Sequence, residues 1–213
     1  MTDAAGRPAT RRREQTRARL LEAAHDVFAE VGMDAASVEL ICECAGFTRG
    51  AFYSNFGSKN ELFLALITDM SESKMTAVAE RVRDLPGGAC TDPAGLVRRV
   101  LGASFGATMT VDLLSELRAQ AMRDDKLAAA YLEWQHALRR RIERIIVDVV
   151  DTHGLRLRLP VADAAELLMD LSDATCIHAD MEGCSKQQVG ERLSRRLEMI
   201  VAALVDAQPV STS

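Results

Sequence analysis

Of the side chains here that could hold a metal or do redox chemistry, the five cysteines come first: Cys42, Cys44, Cys90, Cys176 and Cys184. An odd, scattered set is no disulfide framework and suits a reducing compartment. Cys42 and Cys44 are two residues apart, which on a helix points them roughly 200° from each other, so one metal cannot easily take both. Cys42 shares an apolar face with Ile41, the position of a packed side chain. The segment CIHADMEGC, residues 176–184, is richer. Helical spacing puts Cys176, Asp180 and Cys184 on one face and His178 with Glu182 on another. Cys176 and Cys184 would stand about 12 Å apart along the axis, too far for one metal unless Gly183 ends the helix early. No metal and no cofactor is expected, and His178 reads as a polar group of a pocket or interface. His25, His136, His153 and His178 are scattered singly, and nucleophile motifs, phosphate loops and paired carboxylates at working spacings are missing. Nothing here points to an enzyme.

The other chemistry within reach is docking on nucleic acid, and it centres on Ser37 to Lys59, SVELICECAGFTRGAFYSNFGSK. Ser37 can cap a helix whose Val38, Ile41, Cys42 and Ala45 lie along one face. Gly46 supplies the turn, because without a Cβ it takes left-handed angles cheaply. Thr48 can cap a second short helix whose Ala51, Phe52 and Phe56 pack back on the first. Helix, glycine turn, helix is the spacing of a DNA-reading helix-turn-helix, although the turn alone also fits an ordinary αα-hairpin. The net charge of −5 seems to oppose DNA binding until it is divided along the chain. Residues 1–20 hold six Arg against Asp3 and Glu14, a balance of +4, whereas residues 60–213 hold 18 basic and 23 acidic residues, a balance of −5. Positive charge is therefore local to the start, where phosphate contacts would need it.

The elements that must position this stretch read as helix throughout. The 213 residues are 48% hydrophobic but only 4% aromatic, rich in Ala and Leu, and suffice for one large or two modest domains. Residues 1–9 are small and polar, a disordered lead-in. A helix from about Thr10 to Val31 carries Leu20, Leu21, Ala24, Val27, Phe28 and Val31 on one face, and Gly32 stops it. Ser58 with Glu61 forms a capping box opening a long helix striped by Leu62, Phe63, Leu66, Ile67 and Met70. The Gly- and Pro-rich segment 84–93 is the clearest break. Helices are expected from Ala94 to about Met109, Val111 to Arg123, Leu127 to Thr152, Pro160 or Val161 to Met181, and Lys186 to Asp206. Residues 155–160, LRLRLP, alternate like a strand but are short, isolated and end in Pro, so they are expected to be loop. The last helix carries Val189, Leu193, Leu197, Ile200, Val201 and Leu204, a stripe that faces either the chain's own core or a second copy. No membrane span and no signal peptide is expected, and the default compartment is the cytoplasm.

Residues 37–66 resemble the TetR family of transcriptional regulators. Ile41, Ala45-Gly46-Phe47-Thr48, Gly50, Phe52-Tyr53, Phe56, Gly57-Ser58-Lys59 and Glu61-Leu62-Phe63 fall where the family signature has matching residues, and the match spans about residues 10–66. The resemblance implies an all-α fold: a three-helix helix-turn-helix DNA-binding domain over residues 10–57, then a helical ligand-binding and dimerisation domain over 58–213, paired through the last two helices. It also implies roles. Thr48 would donate to a phosphate from the start of the recognition helix, and Arg49 would read bases, its forked donors matching guanine's two acceptors. Gly50 would let the backbone approach the duplex, Tyr53 and Ser37 would offer hydroxyls to phosphates, and Lys59 a point charge. The family most often has His where this chain has Asn55, an amide that can still donate to a phosphate. A largely apolar effector pocket between helices would draw on Met109, Trp134, Met169 and His178. The reading is a homodimeric repressor released from a palindromic operator by a small molecule. The alternatives are a redox- or metal-responsive regulator using the cysteines, and a helical enzyme whose helix pair is purely structural.

Overall fold

The computed structural model describes residues 8–88, 92–101 and 111–206. Its helices are α1 (Pro8–Ala35), α2 (Val38–Ala45), α3 (Arg49–Tyr53), α4 (Lys59–Asp84), α5 (Pro93–Leu101), α6 (Val111–Ala121), α7 (Asp125–His153), α8 (Val161–Met181) and α9 (Lys186–Leu204). The fold is all-α, as the composition and periodicity predict. Cys90 and Met109 lie outside the described residues, as does most of the expected extension of α5 toward Met109.

The chain divides into two compact units, one of Met1–Met70 with Asp112–Tyr131, the other of Ser71–Val111 with Leu132–Ser213. The first is built on aromatic packing. Phe28, Phe52, Phe56 and Phe63 are fully buried with Leu20, Ile41, Leu62, Ile67 and Leu117. Phe28 meets Phe63 edge to face at 5.0 Å between centroids, the geometry that the ring quadrupoles favour. Gly32 breaks α1 as expected, at φ 77° and ψ 170°, angles that an L side chain adopts only under strain. The turn leaves the Met33 N–H without a helical acceptor, and the Glu116 carboxylate of α6 accepts it at 2.8 Å. Gln120, one turn on, donates to Asp34 at 3.1 Å.

In the second unit, α9 packs on α5 and α8. One apolar cluster joins Met75, Val78, Val82 and Val100 with the α7 residues Leu138, Ile142, Ile145 and Val149. Another gathers Leu96, Leu155 and Val205. The stripe of α9 is divided: Leu193 and Leu197 are buried, while Val189, Ile200, Val201 and Leu204 are half-buried. Residues 155–160 differ from the expected loop. Arg156–Leu157 (β1) pairs antiparallel with Val205–Asp206 (β2), and the Arg158 guanidinium donates to the Asp206 carboxylate at 2.8 and 2.6 Å. The partner strand comes from the far end of the chain, which no local pattern reveals. Among the described residues, no helix is long and apolar enough to cross a membrane.

Candidate nucleic-acid interface

Each helix of the motif is started by a side chain that the sequence names. Ser37 holds extended angles and its hydroxyl accepts the Leu40 N–H at 3.0 Å; Thr48 does the same for Ala51 at 3.2 Å. A cap consumes a lone pair and leaves the O–H free to donate, so both exposed hydroxyls keep a donor for an anionic oxygen. Gly46 ends α2 in the left-handed conformation at φ 70°, and its N–H bonds back to Glu43. Phe52, 0% exposed, roots α3 in the core, while neighbouring Tyr53 is 51% exposed. Gly50 is helical, and a Cβ built there would meet only Thr48 Oγ1, at 3.7 Å. The chain's own packing therefore does not demand glycine at this position; what glycine preserves is a bare backbone on the outer face of α3.

Arg49 stands on that face with two neighbours. Its Nη1 lies 2.9 Å from Glu39 Oε1, across from α2, and its guanidinium carbon is 6.0 Å from the centroid of the Tyr53 ring. The neighbouring Tyr53 and the charge of Glu39 push its pKa above the usual arginine value.

Two expected contacts are turned inward. Asn55 Nδ2 donates to Ala51 O at 2.8 Å and Ser54 Oγ at 3.2 Å, occupying both amide hydrogens, and its buried Oδ1 has no partner among the described residues. Exchanging the amide's oxygen and nitrogen would set two acceptors against each other at Ala51, so this orientation is the chemically sensible one. Lys59 Nζ donates to Met33 O at 2.6 Å and Ala36 O at 2.8 Å, fastening the end of α1 to the start of α4. One of its three donors is left for another acceptor.

Local sequence reasoning also missed a set of arginines that brace the motif. Arg13 donates to Ser54 O at 3.2 Å and Arg17 to Asn55 O at 3.5 Å, just beyond the end of α3; Arg19 donates to Ala45 O at 3.1 Å, at the end of α2. Arg17 also covers the Phe56 ring at 4.4 Å and Arg19 the Phe47 ring at 4.9 Å. Cations at helix C-terminal carbonyls satisfy orphan acceptors and oppose the helix dipole. The basic start of α1 therefore has a structural share as well as an electrostatic one. Arg12, Arg13 and Thr16 line an open concavity of about 720 Å³ with Phe47, Ala51, Ser54 and Asn55.

The expected pocket residues fall in the second unit. Trp134 is half-buried and its Nε1 donates to Ser71 Oγ at 3.1 Å; Met169 is half-buried on α8, and His178 is exposed on the same helix. Burial holds the Lys74 ammonium below the usual lysine range, with partial relief from nearby Cys176, whose thiol burial pushes up. The two lie about a hundred residues apart in the sequence, so no local pattern links them. Folded Lys74 thus binds fewer protons than unfolded between its lowered pKa and the ordinary one, so its destabilising share fades as pH rises through that window. Wild type should therefore gain urea midpoint relative to Lys74→Met as pH rises from neutral toward 10. Paired urea titrations of the two chains across that range check the sign, with Cys176 present in both. Among the described residues no group of three or more His, Cys, Asp or Glu is placed to hold a metal, and the described cysteines Cys42, Cys44, Cys176 and Cys184 are free thiols.

The model of the bacterial regulatory proteins of the tetR family matches residues 20–66. The HTH-type transcriptional regulator UidR of Escherichia coli K12 is 24% identical over 174 residues, 82% of this chain and 86% of its own length. Among solved structures, a TetR transcription regulator from Haloarcula marismortui superposes with a TM-score of 0.69 at 15% identity, covering 91% of this chain and 100% of that one. Salmonella enterica GusR gives 0.65 at 21% identity over 89% and 95%.

Proposed function

We propose that this chain, a member of the TetR family of bacterial transcriptional regulators, acts as a homodimeric repressor that leaves a palindromic operator when a small molecule binds its second unit. The observation that carries the DNA half is exposure: Arg49, Gly50 and Tyr53 of α3 and the two capping residues Thr48 and Ser37 all face solvent. These supply a base-reading fork, a bare backbone and hydroxyl donors to phosphate. Dimerisation through α8 and α9 is supported by large apolar side chains that one copy leaves in water, with Leu167 46%, Met199 68% and Met181 80% exposed. The effector site is proposed between α4, α7 and α8 around Trp134, Met169, Lys74 and Cys176. Its occupant would be largely apolar. Release requires only that the effector bind better to a state whose recognition helices fit the duplex poorly; its effect cannot exceed that difference in affinity.

Selection of duplexes from a random pool by the purified protein tests the reading. Enrichment of two inverted half-sites, centred about 34–36 Å apart or a near multiple, is expected, with sedimentation showing two copies or a multiple of two. A monomer, or a pool that never enriches, would remove it.

A further inference from the structure

A carboxylate on a surface meant for DNA is an expense, and Glu39 sits on the motif in ion-pair contact with the arginine that reads bases. It occupies the first turn of α2, 57% exposed in its side chain, with Oε1 2.9 Å from Arg49 Nη1. An exposed pair of this kind adds little to folding, because water screens it and two side chains lose freedom. Its consequence lies in what it does to the guanidinium. Arginine has five N–H donors in a rigid fork. With Glu39 in ion-pair contact at 2.9 Å and the centroid of the Tyr53 ring 6.0 Å from its guanidinium carbon, the group is held rather than left to sweep the surface. Its remaining donors can still meet the paired acceptors of a guanine.

We infer that Glu39 is a specificity-determining positioning residue, which makes Arg49 a guanine reader instead of a general phosphate binder; the inference rests on the DNA-binding reading above. The mechanism has two parts. Glu39 partly neutralises Arg49 and repels phosphates, which weakens binding to any duplex that offers only backbone. On the right base pair the carboxylate keeps its ion pair with the guanidinium while the fork is satisfied by guanine, so the same charge costs less. Discrimination is thus obtained as much by penalising wrong duplexes as by favouring the right one.

The test uses full-length protein with Glu39→Gln, Arg49→Ala and both together, on a duplex selected by the wild-type chain and on a random duplex, over a salt series. Glu39→Gln should bind random duplex about tenfold more tightly and lower the ratio of selected to random affinity by roughly tenfold or more, with an unchanged thermal midpoint. In the Arg49→Ala background the same substitution should leave that ratio where Arg49→Ala alone puts it. Glu39→Asp, which keeps the charge, should retain part of the discrimination. A Glu39→Gln chain as discriminating as wild type overturns the inference. So does an equal loss with and without Arg49, which would mean that Glu39 acts independently. If wild type itself shows no salt-dependent duplex binding, the DNA-binding reading falls and this inference with it. Selective wild-type binding with an indifferent Glu39 removes this inference alone.

Discussion

Lys59→Ala should destabilise the protein by about 3 kcal/mol, the loss of two charge-assisted bonds to backbone carbonyls at roughly 1.5 kcal/mol or more each. The carbonyls are Met33 O and Ala36 O, bonded at 2.6 and 2.8 Å, and alanine would leave both without this donor. Because Lys59 fastens the Gly32 corner to the start of α4, the loss should appear as a lower urea midpoint with little change in slope. A phosphate-binding lysine behaves otherwise. Its removal leaves stability alone, weakens all duplexes about equally and lowers the salt slope by about one. Urea titration and a salt series on the same variant separate the two roles. A variant as stable as wild type with a reduced salt slope would put the ammonium on the phosphate backbone after all.

Arg49→Ala should do the opposite: leave the fold untouched and relax sequence preference. The side chain is 62% exposed and its ion pair with Glu39 lies at the surface, so neither packing nor a buried partner is lost. Loss of a bidentate guanine contact should reduce discrimination at one base-pair position by roughly ten- to a hundredfold. Binding to random duplex should change much less, since the α1 arginines still supply positive charge. Competition between the selected duplex and single-base variants of it reads this directly. Uniform weakening across all variants, with preference intact, would make Arg49 a phosphate contact and move base reading elsewhere on α3.

How much of the site could be read in advance follows the distance over which each residue acts. Ser37, Gly46 and Thr48 work within four residues, and their hydroxyls and angles are where the sequence places them. The turn at Gly32 was legible for the same reason, but its completion by Glu116, 83 residues on, was not. Arg13, Arg17 and Arg19 announced themselves only as charge. That they brace the ends of α2 and α3 depends on α1 lying across the motif, with partners 26 to 41 residues away. Asn55 and Lys59 were expected to face DNA because their chemistry permits it; the structure sends their donors to nearer acceptors in the protein.

By itself, then, the sequence determined the helical class, the capped helix-turn-helix, the apolar faces and the side chains able to meet a duplex. All of these follow from periodicity, capping and backbone freedom, which act over one or two turns. The tertiary structure alone decided which of those side chains remain free. Hydrogen-bond donors go to the nearest unsatisfied acceptor, and for Lys59, Arg17 and Arg19 that acceptor is a backbone carbonyl brought close by folding. It also brought Glu39 to Arg49 across the turn, a pairing of two helices that no single helix face could announce.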